Sequence, residues 1–242
     1  MIGWLNPGDP FPPVEMALVD PNGLLCAGLE LTAERVLTAY ENGIFPWYNE
    51  GQPVLWWSPD PRMVLYPGNF RLHRSLRKTL RHGGYEIRTD TSFRGVMQAC
   101  ASPRPDQGGT WIGDAIIDAY CDLHDTGYAH SVETWIDNEL VGGLYGIALG
   151  RVFFGESMFV HRTDASKIAF AYLLMQLRRW SFELIDCQQE TQHLASLGAA
   201  PIPRVQFLND LGRWVHSNSQ QPDTGIWQFD TDLLGELLTG TR

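Results

Sequence analysis

Lysine, paired cysteines and metal-type histidine spacings are scarce or missing in this chain. Its 242 residues include only two lysines, Lys78 and Lys167, so arginine supplies most of the positive charge. The four cysteines show no C-x-x-C spacing, and the seven histidines form no H-x-x-x-H or H-E-x-x-H pattern. These absences argue against a disulfide framework and the common zinc motifs, and they predict reduced, mostly buried thiols and no metal site.

Long apolar runs are also missing. Near Met1 there is no basic segment followed by an apolar one, and no stretch is long enough to span a bilayer. We therefore expect a cytoplasmic protein without a membrane partner. With 44% hydrophobic and 19% charged residues, the composition is that of a folded protein with one sizeable core and room for a smaller module.

Net charge sets a third limit. At −10, the chain is too acidic for wholesale nucleic-acid binding. Residues 71–82 depart from this balance, because they hold five Arg or Lys residues and no acid. In a helix, four of these cations would share one face and could contact phosphates: Arg74, Arg77, Lys78 and Arg81. A solvated surface helix explains the run equally well.

The middle of the chain predicts a grouping of acids. Two β-rich runs, 140–149 and 152–160, are separated by a Gly-Arg pair and predict a hairpin, with Glu156 inside the second run. A helix and a short apolar strand follow, and the strand ends at Asp186 with Gln188 just beyond it. Because both acids lie inside or at the end of strands, we expect Glu156 and Asp186 to face one cleft.

The element pattern predicts an α+β fold in two parts. Residues 1–62, with many Pro-rich turns, are predicted to form a small N-terminal α/β domain. Residues 63–242 carry a three-stranded meander, a helix and a further strand, and they end in a tail that is polar from Ser217 to about Gly225 and that we expect to be loose. This order resembles the acyltransferase domain of GCN5-related N-acetyltransferases.

Enzymes of that type bind the pyrophosphate of acyl-CoA on a glycine-rich turn that precedes the helix. The corresponding residues here, 160–167, read VHRTDASK and contain no glycine. Asp164 would repel a phosphate at this helix N-terminus. A transferase that uses acyl-CoA is therefore an alternative that this segment argues against.

Aromatic residues are concentrated in two stretches. In residues 43–62, Trp47, Trp56 and Trp57 stand among four prolines, and we expect this stretch to be a loop. Trp111 follows a polar loop with paired glycines, which could close over a ligand. Such rings either pack into the core or stack on a base, so a noncatalytic RNA-binding module is a second alternative.

The most specific signal is a set of short sequence motifs in a fixed order: NGIFPWY, LWWSPDPR, TWI, HSVE, ELVGGLYG, FFGESMF, DASK and LIDCQ. Together they resemble the leucyl/phenylalanyl-tRNA-protein transferase family, from about Pro21 to Arg213. The resemblance implies transfer of Leu, Phe and, less readily, Met from charged tRNA to proteins whose N-terminus is Arg or Lys. It further implies that the tagged proteins enter the N-degron degradation pathway.

The resemblance also implies roles for individual residues. Asp186 and Gln188 would form the catalytic relay, and Glu156 would position the reacting groups. Trp47 and Trp111 would lie against the terminal adenosine. Four residues would line the pocket for the transferred amino acid: Leu144, Phe153, Met158 and Ile185.

The implied chemistry is simple. An aminoacyl ester of tRNA is already activated, so its transfer to an amine requires no cofactor, metal or nucleoside triphosphate. The acceptor amine must lose a proton as it attacks, and a carboxylate can accept that proton. The sequence leaves open whether Asp186 or Glu156 is the main base.

Overall fold

The computed structural model describes residues 2–102, 111–218 and 226–239. Two sheets, one of four strands and one of seven, are joined by helices, which confirms the predicted α+β class. Within the described ranges, every helix is too short or too polar to cross a bilayer. The same ranges contain no cluster of three or more His, Cys, Asp or Glu side chains placed to hold a metal ion.

The smaller sheet lies in the N-terminal quarter of the chain. Its order is β1-β2-β4-β3, and the strands are β1 (Gly3–Leu5), β2 (Leu24–Gly28), β3 (Phe45–Pro46) and β4 (Val54–Trp57). Helix α1 (Ala33–Glu41) begins where Thr32 Oγ1 accepts a hydrogen bond from the Arg35 amide.

The loop predicted for residues 43–62 is wrong in part, because β3 and β4 lie within it. Trp56, with 1% of its surface exposed, is in the core, whereas Trp47 keeps 39% exposure. The prolines stand outside the β4 run, so they do not interrupt its pairing with β2 and β3.

The seven-stranded sheet has the order β11-β5-β10-β9-β8-β7-β6. Its strands are β5 (Arg62–Leu65), β6 (Glu86–Thr89), β7 (Ala129–Ile136), β8 (Glu139–Leu149), β9 (Val152–Val160), β10 (Leu184–Gln188) and β11 (Ala200–Ile202). β7, β8 and β9 form the predicted meander, and β10 then pairs with β9 in parallel. Pro201 is part of the edge strand β11.

Helices cover both faces of this sheet. They are α2 (Arg74–His82), α3 (Phe93–Ala101), α4 (Asp114–Asp125), α5 (Ala165–Arg179), α6 (Gln192–Ser196), α7 (Arg204–Trp214) and α8 (Leu233–Thr239). α5 packs on one face, where Leu173 and Leu177 join the sheet residues Leu144 and Phe153. α3 and α4 pack on the other face. Alternation along the strands supplies apolar side chains to both faces, as expected for a sheet that is buried on both sides.

The two sheets share one hydrophobic core. Tyr40 and Trp56 from the N-terminal part lie in the same cluster as Tyr120 and Phe154, and the Tyr40 and Phe154 rings meet edge to face at 4.8 Å. Arg62 already belongs to β5 of the larger sheet. The division of the chain after residue 62 stays a prediction.

The C-terminal segment is packed beyond its polar part. Residues 219–225, which hold most of the stretch expected to be loose, lie outside the described residues. From residue 226 onward the chain returns to the body, and Trp227, Leu233 and Leu237 are buried there. One more helix, α8, therefore follows α7.

Candidate active site

The candidate site lies where two parallel strands part. β9 and β10 are paired as far as Phe154 and Asp186, and β10 then carries a bulge between Asp186 and Gln188. Gln188, the last residue of β10, has a φ of 60°, in the left-handed region. Glu156 and Gln188 are each two residues beyond the last pair. Their side chains meet at this point.

Glu156 is held by three polar side chains. Tyr40 donates to its Oε1 at 2.5 Å, Tyr120 donates to its Oε2 at 3.1 Å, and Gln188 Nε2 donates to Oε1 at 2.9 Å. The two tyrosine hydroxyls lie 2.9 Å apart. The three donors come from α1, α4 and β10, so the fold assembles this cluster from distant parts of the chain.

Burial dominates the electrostatics of the cluster. It raises the pKa of Glu156 from its ordinary 4.5 to about 7, although the bonds from Tyr40 and Tyr120 lower it and nearby Asp186 raises it. Burial also raises the pKa values of both tyrosines well above 10, so they remain donors at neutral pH. Glu156 is thus a carboxyl group that can change its charge near neutral pH.

Asp186 has a different environment. It is fully buried and accepts two hydrogen bonds from Arg62, from Nε at 2.8 Å and from Nη2 at 2.6 Å. The Gln188 amide also donates to Asp186 Oδ1, at 2.9 Å. The guanidinium group stacks between the rings of Phe45 and Phe207, 4.7 and 4.6 Å from their centroids. Asp186 therefore anchors the bulge that carries Gln188.

The four pocket residues predicted from the sequence come together on the α5 face of the large sheet. Leu144, Phe153 and Ile185 are buried in one cluster, and Met158 packs against it. This cluster is on the opposite face from Tyr40 and Tyr120, which belong to the core shared by the two sheets. The pocket residues and the Glu156 cluster thus flank the same strands.

The two tryptophans differ in accessibility. Trp47 is partly exposed, with its carbonyl oxygen accepting a hydrogen bond from Trp57 Nε1 at 2.6 Å. Trp111 is half-buried and packs on the shared core. Most of the polar loop before it, residues 103–110, lies outside the described residues. An adenosine contact by either ring stays a prediction.

The basic helix begins at Arg74, three residues later than the basic run itself. Arg74, Lys78 and Arg81 are exposed, and none of the three forms an ion pair with any residue that the structure describes. Arg77 is half-buried, because its Nη1 donates to the Leu238 carbonyl oxygen at 2.7 Å. Three of the four predicted phosphate contacts are therefore free to meet a polyanion.

Comparison with known proteins gives the decisive observation. A model of the leucyl/phenylalanyl-tRNA protein transferase family matches residues 64–212, and a model of the N-terminal domain of the same family matches residues 30–60. The chain belongs to this family.

Relatives agree along nearly the whole chain. A leucyl/phenylalanyl-tRNA-protein transferase of Nitrosospira multiformis is 60% identical, over 97% of this chain and 100% of the relative. The protein of that name from Nitrosomonas europaea is 57% identical over 97% of this chain and 98% of the relative. This family member is thus an enzyme, an aminoacyltransferase.

Solved structures match more weakly. One is a GCN5-related N-acetyltransferase from Kribbella flavida, with 11% identity and a TM-score of 0.35, covering 68% of this chain and 58% of that one. Another is described as L-PGS from Bacillus licheniformis, with 12% identity and a TM-score of 0.37, covering 71% and 57%.

The turn before α5 in this transferase is occupied by its own side chains. Asp164 has a φ of 65°, and its carboxylate binds Lys167 Nζ at 2.9 Å and Thr79 Oγ1 at 3.1 Å. The N-terminus of α5 therefore carries an acid whose oxygens are already bonded to neighbouring side chains.

Sequence reasoning missed three residues of this transferase site. Tyr40, Tyr120 and Arg62 contact the predicted acids, but each is more than thirty residues away from its partner along the chain. Arg62 ends the word LWWSPDPR, and a buried acid requires a cation or several donors. That requirement is the one signal that could have pointed to it.

Proposed function

We propose that this transferase moves Leu, Phe and, less readily, Met from the 3′ end of charged tRNA to the N-terminal Arg or Lys of acceptor proteins. The products are marked for the N-degron pathway of the cytoplasm. Membership of the family supports the aminoacyl-tRNA donor. The observation that carries the chemistry is the Glu156 cluster, a carboxyl group with a pKa of about 7 beside the amide side chain of Gln188.

The reaction is aminolysis of an ester. The α-amine of the acceptor attacks the carbonyl carbon of the aminoacyl group, a C–N bond forms, and the C–O bond to the terminal ribose breaks. The proton lost by the amine ends on the released ribose oxygen. The products are a peptide bond and a tRNA with a free terminal hydroxyl, and the balance requires no oxidant, metal or nucleotide.

Glu156 is our choice for the group that takes the amine proton. Both oxygens of Asp186 are occupied by Arg62, and this ion pair has no exposed surface. Glu156 keeps some exposure and titrates near neutral pH, which suits a general base. Gln188 donates to Glu156 through Nε2, and its side-chain oxygen can accept a hydrogen bond from the attacking amine.

The acceptor side chain also needs an anion. With Asp186 neutralised by Arg62, ionised Glu156 is the remaining negative charge of the cluster. It attracts the cationic N-terminal residue of the acceptor and brings the amine toward Gln188. An acceptor with an apolar first residue lacks this attraction, so it reacts more slowly.

The transferred amino acid is selected by the shape of its side chain. Leu144, Phe153, Met158 and Ile185 form an apolar cluster that would surround this side chain, and one methylene-sized change in such a pocket is worth about 1 to 3 kcal/mol. Leu, Phe and Met are apolar and unbranched at Cβ, whereas a charged side chain would be left there without a partner. Trp47 stacks on the terminal adenosine, and the exposed cations of α2 contact tRNA phosphates.

The test uses purified protein, tRNA charged with radiolabelled leucine, and two acceptors that differ only in an N-terminal Arg or Met. We expect label on the Arg acceptor only. Glu156→Gln keeps the size of the side chain but cannot take a proton, and we expect its kcat to fall about 100-fold or more. Glu139→Gln, an exposed strand glutamate, is the matched control.

Absence of transfer by the wild type, with tRNA still bound, would favour a noncatalytic RNA-binding module over the enzyme proposed. Equal labelling of both acceptors would remove the N-terminal Arg or Lys requirement. Full activity of Glu156→Gln would refute Glu156 as the general base and leave Asp186 as the candidate for that role.

A further inference from the structure

We infer that Trp227, in the C-terminal segment, sets the depth of the amino-acid pocket by supporting Phe153 from behind. This inference rests on the proposed function, because it concerns the pocket assigned there to the transferred amino acid. Trp227 does not line the pocket itself. It acts through Phe153, which makes it a positioning residue that determines specificity.

The pocket is filled by its own side chains. Leu144, Phe153 and Ile185 are each at most 3% exposed, and the partly buried Met158 packs against their cluster. A transferred Leu or Phe side chain enters only if one of these four moves. Phe153 is the largest of them, so its displacement creates the most space. How far it can be displaced decides which amino acids fit.

Trp227 occupies the space into which the Phe153 ring would have to move to open the pocket. The two ring centroids are 6.0 Å apart, at an interplanar angle of 37°. Beyond Phe153, the indole is enclosed by Trp180, edge to face at 4.9 Å, and by His130, stacked at 3.9 Å. Trp227 itself is 1% exposed. Because the indole is tightly packed on these sides, it cannot move away when Phe153 is displaced toward it.

The backbone of Trp227 is fixed as firmly as its ring. Its amide donates to Asp90 Oδ2 at 2.8 Å, and its carbonyl oxygen accepts a hydrogen bond from Thr89 Oγ1. Asp90 is in turn bound by His130 Nδ1 at 2.8 Å and by the Ser131 amide at 2.7 Å. The wall behind Phe153 is thus part of a buried polar network.

The following residues hold the segment in place. Arg179, at the end of α5, binds three acids of the C-terminal segment at distances of 2.5 to 2.9 Å: Asp230, Asp232 and Glu236. Leu233 and Leu237 of α8 are buried against α2 and α5. Leu233 and Leu237 belong to a different apolar cluster from Phe153, so they provide a control for the general stability of the segment.

The test is the ratio of kcat/KM for phenylalanyl-tRNA to that for leucyl-tRNA. Trp227→Leu leaves space behind Phe153, and we expect the ratio to rise about tenfold, the low end for a methylene-sized change in an apolar pocket. Trp227→Phe keeps a ring on His130 and should shift the ratio in the same direction by less. Leu237→Ala should lower the melting temperature and leave the ratio unchanged.

A double-mutant cycle separates positioning from loss of stability. Phe153→Leu opens the pocket directly, so adding Trp227→Phe to it should shift the ratio no further, whereas independent effects would multiply. The inference is overturned if folded Trp227 variants keep the wild-type ratio, if Leu237→Ala shifts it equally, or if the cycle shows independence. A wild type that transfers neither amino acid defeats the proposed function, and this inference with it.

Discussion

Arg62 and Asp186, which are 124 residues apart in the chain, bind each other through two parallel hydrogen bonds with no exposure to solvent. The pair connects β5 to β10 and holds the bulge that directs Gln188 toward Glu156. A loss of activity after a change at Asp186 can therefore arise from the position of Gln188 and from stability. The chemistry of the carboxylate is only one of its possible causes.

Asp186→Ala should lower the free energy of unfolding by about 3 to 5 kcal/mol, because it leaves the buried guanidinium of Arg62 without its partner. Urea denaturation measures this. Asp118→Ala removes one partner of the exposed Arg94–Asp118 pair and should cost far less, because solvent screens that pair. Similar costs for the two variants would contradict the structural role of the buried pair.

Glu156→Gln should make stability less dependent on pH. The folded protein keeps the Glu156 proton up to about pH 7, whereas an unfolded chain releases it near 4.5. The free energy of unfolding of the wild type therefore falls as pH rises from 4.5 to about 7, and the loss is complete above 7. The variant lacks this loss. Between pH 5 and pH 8, its free energy of unfolding should rise by roughly 2 kcal/mol relative to that of the wild type, a figure reduced for partial exposure.

Urea denaturation at the two pH values checks this, with Glu139→Gln as the exposed control. The Glu139 side chain is 71% exposed, so its curve should follow that of the wild type. A gain that is the same at pH 5 and pH 8 would mean that Glu156 does not titrate in this range.

Tyr40→Phe and Tyr120→Phe should each move the pH dependence of kcat/KM to higher pH. Each removes a hydrogen bond that lowers the pKa of Glu156, so a smaller fraction is ionised at pH 7. We expect activity at pH 7 to fall about five- to tenfold, with recovery at pH 8 to 9. The measurement is a pH profile of leucine transfer.

Tyr145→Phe is the matched control for these variants. Tyr145 is fully buried beside Tyr120, and its hydroxyl has no hydrogen-bond partner among the described residues. Its removal should leave the pH profile unchanged and cost little stability. If all three phenylalanine variants gave the same profile, the two hydrogen bonds to Glu156 would not control the rate.

Replacing Arg74, Lys78 and Arg81 together by Gln should reduce the salt dependence of tRNA binding. Each lost phosphate contact lowers the slope of log K against log salt by about 0.7 to 0.9. Filter binding between 50 and 200 mM salt, as is usual for such slopes, measures the change. Arg94→Gln, an exposed arginine on α3, serves as control. A slope equal to that of the wild type would show that α2 faces away from the tRNA.

The sequence predicts elements well where one period of apolar residues continues without interruption. α4, Asp114–Asp125, is such an element, because an apolar stripe at helical spacing runs through its whole length. β8 and β9 follow from two β-rich runs around Gly150. β4 was missed because the prolines on either side indicate a loop, and its pairing with β2 is a long-range interaction. α8 was also missed, because the polar stretch before it predicts a loose tail and gives no sign that the chain packs on the core again.

The motifs shared with the family do not show what surrounds each acid. Glu133, in HSVE, is fully buried and accepts bonds from the Ser92 amide at 2.7 Å and from Trp135 Nε1 at 2.9 Å, so it fixes the start of α3. Glu156, in FFGESMF, has hydroxyl and amide side chains around it. The difference depends on which distant residues surround each acid, and short words cannot encode that.

The position of β5 constrains how the chain is made. β5 ends at Leu65, and its two neighbours in the sheet are β10 and β11, which lie between Leu184 and Ile202. During translation the N-terminal quarter leaves the ribosome long before either neighbour exists. Until Asp186 has been synthesised, Arg62 has no partner on β10 and remains solvated. The centre of the large sheet can form only when four fifths of the protein has been synthesised.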